Sequence, residues 1–447
     1  MKKKLVSLLA CIMVIALVFA GCGGRGGDSN VDPTEAPDTN NEDPVDEGNS
    51  NGEEIELVMW SIATESDAFH NAYTKAIADF EAANPGVKIK HETFENQSYK
   101  TTIATSVTGN DLPDIFYTWG GGFSAPFVDS GNVLALDEYF TDEYKSQIND
   151  AALTYQTYNG KVYGVTYTTP ISSLFYNKKI FEQNGVEAPT TFDELVEVCQ
   201  KLKANGVTPI GISAKDTWVL AMTHDNLVLK SVGHDKVVST LTRSGGTYEG
   251  SDFVQASANF RKLVEIGAFV DGAAGMTNDE ASAEFYAGRV AMFVTGSWMA
   301  GSIQQDAENP EDFDAVPYPV AGSNAAGTDF MGGAADTLMV SKSSKHPELA
   351  AKAAIEMARS ISKYSYLDGA GLPVWEVNYD DSNVNPLTRK LASFVEGATS
   401  FTLWFDTLME PEYKDTYLNL LEQLYFGQIT PEDFVNGMKE NLGKDVN

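Results

Sequence analysis

Between residues 55 and 119 strand and helix signals alternate in the order β-α-β-α-β, and that order constrains the fold more than any other feature of the chain. "EIELVMWS" reads as a strand, and Phe69, Tyr73, Ile77 and Phe80 then recur at helical spacing until Asn84-Pro85-Gly86 stops them. "VKIKHETF" alternates as a second strand, residues 97 to 108 form a second helix closing near Gly109, and "PDIFYTW" is a continuous apolar strand. Such an alternation predicts an α/β fold with a mostly parallel, doubly wound sheet, in which ligands sit beyond the carboxyl ends of the strands.

Tryptophan placement acquires meaning against that rule. Trp60 ends the first strand, Trp119 ends the third, and Trp298 follows the strand-like run in "FYAGRVAMFVTGSW". Three of the six tryptophans therefore stand at strand ends, where loops and ligands meet. Each could instead fold back onto its own lobe, but the repetition at one structural place favours a binding cleft. The 447 residues exceed the roughly 250 to 300 that one core usually serves, so two lobes are expected. Later segments supply covering helices: "TTFDELVEVCQKLKANG", with an N-terminal Thr and a Gly stop, "DFVQASANFRKLVEIGAFV", "HPELAAKAAIEMARSI", and two more between Pro411 and Leu442.

The first residues read as an export signal. "MKKK" is a basic region, "LVSLLACIMVIALVFA" is apolar but shorter than a membrane span, and Ala20-Gly21 precede Cys22. Residues 22 to 54, rich in Gly, Pro, Asn and acids, have almost nothing to bury and predict a disordered acidic linker. Gly21-x-Gly23-x-x-Gly26 matches a dinucleotide fingerprint by letter only, since no strand precedes it, and Glu47-x-Asn49-x-Asn51-Gly52 lacks the closing Glu of a calcium loop. The net charge of -32 argues against nucleic acid as a partner. Cys11 falls in the signal, and Cys199 lies in a helical pattern where a buried thiol is expected, so no disulfide framework is predicted.

Several stretches, in order, resemble one family: "ELVMWS", "ANPGVKIK", "GNDLPDIFYTWGGGFSAPFVDSGNVLALDEYF", "YNGKVYGVTYTTPISSLFYNKKIFEQNG", "PTTFDELVEVCQKLKANGVTPI", "AGRVAMFVTGSW" and "GGAADTLMVSKSSKHPELAAKAAIEM". The chain resembles the extracellular solute-binding proteins of ABC transporters, in the sugar-binding group similar to maltose-binding proteins. That resemblance implies a two-lobed periplasmic-binding-protein-like fold, each lobe a mostly parallel sheet flanked by helices, with a hinge between them. It places lobe 1 at residues 55–168 and 328–372, and lobe 2 at 169–327 and 373–447. "LVFAGC" is similar to a lipobox, which implies a signal peptide over residues 1–21, lipid on Cys22, and a protein held at the extracellular face of the cell membrane by that anchor alone.

The resemblance also implies a ligand and a set of contacts. Trp298 matches the family's stacking tryptophan, Thr64 and Glu65 a polar cleft segment after the first strand, Trp119, Gly120 and Gly121 a segment after the third, and Tyr167 a cleft aromatic. Trp60 and Gly333 complete the lobe-1 side, while Trp218, Trp375, Trp404 and Asp406 are assigned by residue type in variable regions. A sugar has an apolar face and a ring of hydroxyls, so flat indoles and fixed carboxylates suit it. The expected ligand is an oligosaccharide, the expected partners are ABC permease subunits with their ATPase, and a monomer needing neither cofactor nor metal is anticipated.

Other classes remain open at this point. With 63 acidic residues, a secreted glycoside hydrolase using two carboxylates is conceivable, although neither a His-Glu-x-x-His helix nor a Walker motif is present. The same fold could also hold a non-sugar solute such as a peptide or a polyamine.

Overall fold

The computed structural model describes residues 54–444; the expected signal, Cys22 and all but the last residue of the expected linker lie outside them. In chain order the strands are β1 (Ile55–Ser61), β2 (Val87–Thr93), β3 (Ile115–Trp119), the small hairpin β4 (Thr157–Tyr158) and β5 (Lys161–Val162), β6 (Gly164–Thr166), β7 (Ser172–Asn177), β8 (Thr208–Gly211), β9 (Val290–Gly296), β10 (Phe313–Val316), β11 (Asp329–Met331), β12 (Asp336–Val340) and β13 (Ser400–Thr402). Five of them form a sheet in the order β2-β1-β3-β12-β6, and four form a second in the order β10-β7-β9-β8. Each sheet lies in its own buried cluster, so the described residues divide into two lobes.

Most strands of each sheet run in one direction, as expected, and each sheet holds one reversed strand, β12 in the first and β7 in the second. β1 pairs in parallel with β2 and β3, but β12 is antiparallel to β3 and β6; in the second sheet β8 and β9 are parallel while β7 is antiparallel to β9 and β10. The cause is the interlobe crossings. β7 and β12 start where the chain has just crossed between lobes, so they run away from that edge, while β1, β3 and β9 run towards it.

The crossings lie against each other. Gly333 N donates to Pro170 O at 2.9 Å, Ile171 and Gly332 form an antiparallel bridge, and Thr168 exchanges hydrogen bonds with Leu372. Phe330 and Met331 pack into the second cluster and Trp375 into the first. β11 is held by β13 until Met331, so the chain stays with the second cluster to that point.

Local rules explain the covering helices. The helix Phe192–Ala204 starts with a reciprocal Thr191–Glu194 capping box and buries Leu195, Val198, Cys199 and Leu202 on one face. Burial pushes the Cys199 thiol up to about 12, so it is an inert core group. The helices His70–Ala83 and Pro347–Asp368 cover the first sheet. The helix Thr217–Val232 is buried along almost its whole length and forms the spine of the second lobe.

Gly332 sits at the crossing with φ +131, and a Cβ there would stand 2.1 Å from Pro170 O. Replacing Gly332 with Ala forces both a disfavoured backbone and a clash, so a loss of about 2 kcal/mol or more is expected in chemical denaturation. A loss below about 0.5 kcal/mol, within the range of ordinary surface changes, would show that the crossings can move apart freely.

A candidate ligand-binding cleft between the lobes

A cleft of about 1360 Å³ opens between the carboxyl ends of β1 and β3 on one side and the loops after β8 and β9 on the other. That exceeds the roughly 300 to 1,000 Å³ of most small-molecule sites. One wall is made of indoles. Trp298 lies between Trp218 and Trp404, at ring centroid distances of 6.4 and 5.8 Å and tilts of 56° and 54°.

The local chain explains how Trp298 reaches that wall. β9 is buried throughout and ends at Gly296, and Trp298 starts the turn into the helix Met299–Asp306. Its ring lies back over Gly296, where a Cβ would come within 2.1 Å of the indole, so glycine is the residue that leaves the ring room. Trp404 lies in a tight segment before the short helix Phe405–Leu408, 7% exposed, and its Nε1 has no acceptor among the described residues.

The facing floor is built from tyrosines and carboxyls. Tyr73 OH donates to Tyr167 OH at 3.1 Å, and Tyr117 OH donates to Asp336 Oδ1 at 2.5 Å. Trp119 packs on Tyr117 at 4.9 Å, and Lys100 Nζ stands 5.2 Å from the Trp119 ring and 3.3 Å from Asp406 Oδ2. Asp67 accepts from Phe69 N at 2.8 Å. It lines the cleft half-buried, and this burial, helped by the nearby carboxylates of Asp336 and Asp279, raises it to about 7. Burial likewise raises Asp336 to about 6, against the pull of the Tyr117 hydroxyl.

Of the residues picked out from sequence, Thr64, Trp119, Tyr167, Trp218, Trp298, Trp404 and Asp406 line this cleft. The others do not. Trp60 lies under Phe94 and donates from Nε1 to Glu92 at 3.0 Å, because strand alternation turns it to the outer sheet face, where it borders a separate shallow groove. Glu65 is exposed in the turn after β1, and Ser66 and Asp67 line the cleft in its place. Gly120, Gly121 and Gly333 stand behind the floor, where their missing side chains let the backbone pass Tyr155 and Leu403. Trp375 is sealed in the first lobe, donating to Thr166 O at 2.9 Å.

Asp67, Lys100, Tyr117, Asp216, Asn278 and Asp336 line the cleft without having been singled out. A signal existed for Asp336, a charged residue opening the apolar run "DTLMV", and for Lys100, the one charge between Glu95 and Asp111.

Because the folded Asp67 holds a proton that the unfolded chain gives up near pH 4, stability falls as pH rises from about 4 to 7 and stays low above that. Asp67→Asn removes this penalty, so the variant should gain about 2 kcal/mol over the parent at pH 8 and nothing at pH 4. Thermal melts across that range test it; parallel pH profiles for the two proteins would refute it.

Comparison with known proteins agrees with this architecture. Residues 65–360 match the model of the family described as bacterial extracellular solute-binding protein. The "Multiple sugar-binding protein" of Streptococcus mutans is 25% identical over 332 residues, 70% of this chain and 75% of its own. A solved structure from work on xylan utilization by the thermophilic bacterium Caldanaerobius polysaccharolyticus is 34% identical with a TM-score of 0.84, covering 88% of this chain and 100% of that one. A chitin oligosaccharide binding protein shares the fold at a TM-score of 0.80 and 23% identity, over 88% of this chain and 98% of its own. With a two-lobed fold, a cleft at the strand ends and a family match over most of its length, the chain belongs to the bacterial extracellular solute-binding proteins.

Proposed function

We propose that the protein captures an oligosaccharide outside the cell and delivers it to an ABC importer. The observation that carries this reading is the wall of three indoles facing a floor of tyrosines and carboxyls across one cleft. Indoles cover the C–H faces of sugar rings, and fixed carboxylates accept from their hydroxyls. The volume suits several linked rings better than one, and the sugar-binding relatives point the same way.

Binding, without chemistry on the ligand, is the proposed role. The lobes close about the crossings at Pro170–Ile171 and Gly332–Gly333, and the closed protein docks on permease subunits that an ATPase drives. Among the described residues no helix is long and apolar enough to cross a membrane. Lipid on Cys22 is the proposed tether, with residues 22–54 as the leash and the protein acting as a monomer at the extracellular face.

Trp298 is the residue to remove. Titration calorimetry against xylo-, chito-, manno- and galacto-oligosaccharides should find a ligand, and Trp298→Ala should weaken it by about 2 kcal/mol or more, as removal of a central aromatic anchor does. Unfolding should stay cooperative. Unchanged affinity in the variant would remove Trp298 from the site, and a panel without any binder would remove the sugar reading.

A further inference from the structure

The cleft carries an uneven charge that the sugar reading does not use. Nine acidic side chains line it against three lysines, and among the described residues no arginine or histidine joins them. Two of the lysines are already engaged: Lys100 with Asp406 at 3.3 Å, and Lys179 with Asp312 at 3.9 Å. Sites that receive carboxylates or sulfates rely on the forked donors of arginine or on unpaired lysines. Here the cations are few and mostly spent.

Several of the acids are held by hydrogen bonds. Glu95 accepts from Gln97 N at 2.9 Å and Ser98 N at 3.0 Å, Asp216 accepts from Asn278 N at 2.6 Å, and Asp336 is held by Tyr117 OH. They also face one another from different lobes. Glu95 adds to the burial that raises Asp216, and Asp279 does the same to Asp67. An anion drawn between them meets like charges on both sides.

A second observation says what the cleft wants instead. Trp404 Nε1 is a buried donor without an acceptor in a residue that lines the cleft. A hydroxyl or ether oxygen of an uncharged ring satisfies it, and the same hydroxyls donate to the pinned carboxylates. Neutral sugars answer both needs.

Resting on the sugar reading above, we infer that the cleft is a charge filter: it takes uncharged oligosaccharides and rejects the same chains when they carry a uronic acid. Selection by repulsion needs no added contact, only fixed charges placed where a wrong ligand would lie. Glucuronosyl-substituted or fully uronate chains would therefore be left in the medium until other activities had removed or masked their carboxylates.

The test uses the purified protein and matched ligands. Xylo-, chito-, manno- and galacto-oligosaccharides are titrated beside a partner bearing one carboxylate and beside the methyl ester of that partner, which keeps the bulk and removes the charge. The expected result is a neutral binder whose carboxylate form is at least about tenfold weaker at low salt, with the ester recovering most of the loss and high salt shrinking the gap. The double variant Glu95→Gln, Asp216→Asn should narrow the difference between carboxylate and ester.

A carboxylate form that binds within about threefold of its ester overturns the filter and leaves the sugar reading standing. An unchanged gap in the double variant overturns the assignment to those side chains. Failure of every oligosaccharide, charged or neutral, overturns both readings together.

Discussion

The contact between the two crossing segments is the constraint on which the other features hang. Gly333 N reaches Pro170 O, and Gly332 pairs with Ile171, because both glycines hold a positive φ and Gly332 has no Cβ to strike Pro170 O. This one crossing decides where β7 and β12 begin, and therefore which way each runs in its sheet. The strands that run the other way, β1, β3 and β9, then deliver their ends to a common edge. A cleft lined from both lobes follows from that geometry before any ligand-binding side chain is considered.

Within the cleft, most polar groups already have a partner. Asp67 rests on a backbone amide, Asp336 on a tyrosine hydroxyl, Lys100 on Asp406 and an indole face. Such groups lose little freedom when a ligand arrives, so the entropy of ordering them is met during folding and not during binding. Asn96 Oδ1 and the Trp404 Nε1 are exceptions among the described cleft residues, and burying the indole donor without an acceptor disfavours the empty state by the cost of a lost hydrogen bond, about 1 to 3 kcal/mol. A ligand oxygen recovers that cost.

The lobes were legible where periodicity and punctuation speak together. The helix over Phe69 to Phe80, the capping box at Thr191 and the two C-terminal helices all lie where their patterns put them, since each has one apolar face and a clear stop. The helix Thr217–Val232 escaped because burial on every side removes the 3.6-residue contrast; its polar residues, such as Asn226 and Lys230, face internal partners and not water. For the site, tryptophans at or just past the last residue of a strand were informative and a tryptophan before the last residue was not. Trp298 and Trp119 reach the cleft, whereas Trp60 has one more strand residue after it and alternation sends it to the outer face. Aspartates such as Asp67 and Asp336 carry no period, and only the fold of both lobes shows which of them share a space.

The indole wall itself depends on a buried polar group far from any ligand. Asp225, on the spine helix of the second lobe, accepts from Phe405 N at 3.0 Å and from Tyr417 OH. Phe405 stands between Trp404 and Asp406, so this carboxyl fixes the backbone from which two cleft residues project. Burial raises Asp225 well above the usual carboxylate range, and burial lowers the adjacent His224 to about 3, so the histidine stays neutral beside Tyr417 and Ser257. An apolar residue at position 225 would fill the same space but leave Phe405 N unpaired and Tyr417 OH with only the longer contact to His224, and the short helix Phe405–Leu408 would lose the bond that fixes its start. The polar core of this lobe is thus a positioning device for its binding surface, which explains why a helix buried on all sides keeps His224, Asp225 and Asn226 in succession.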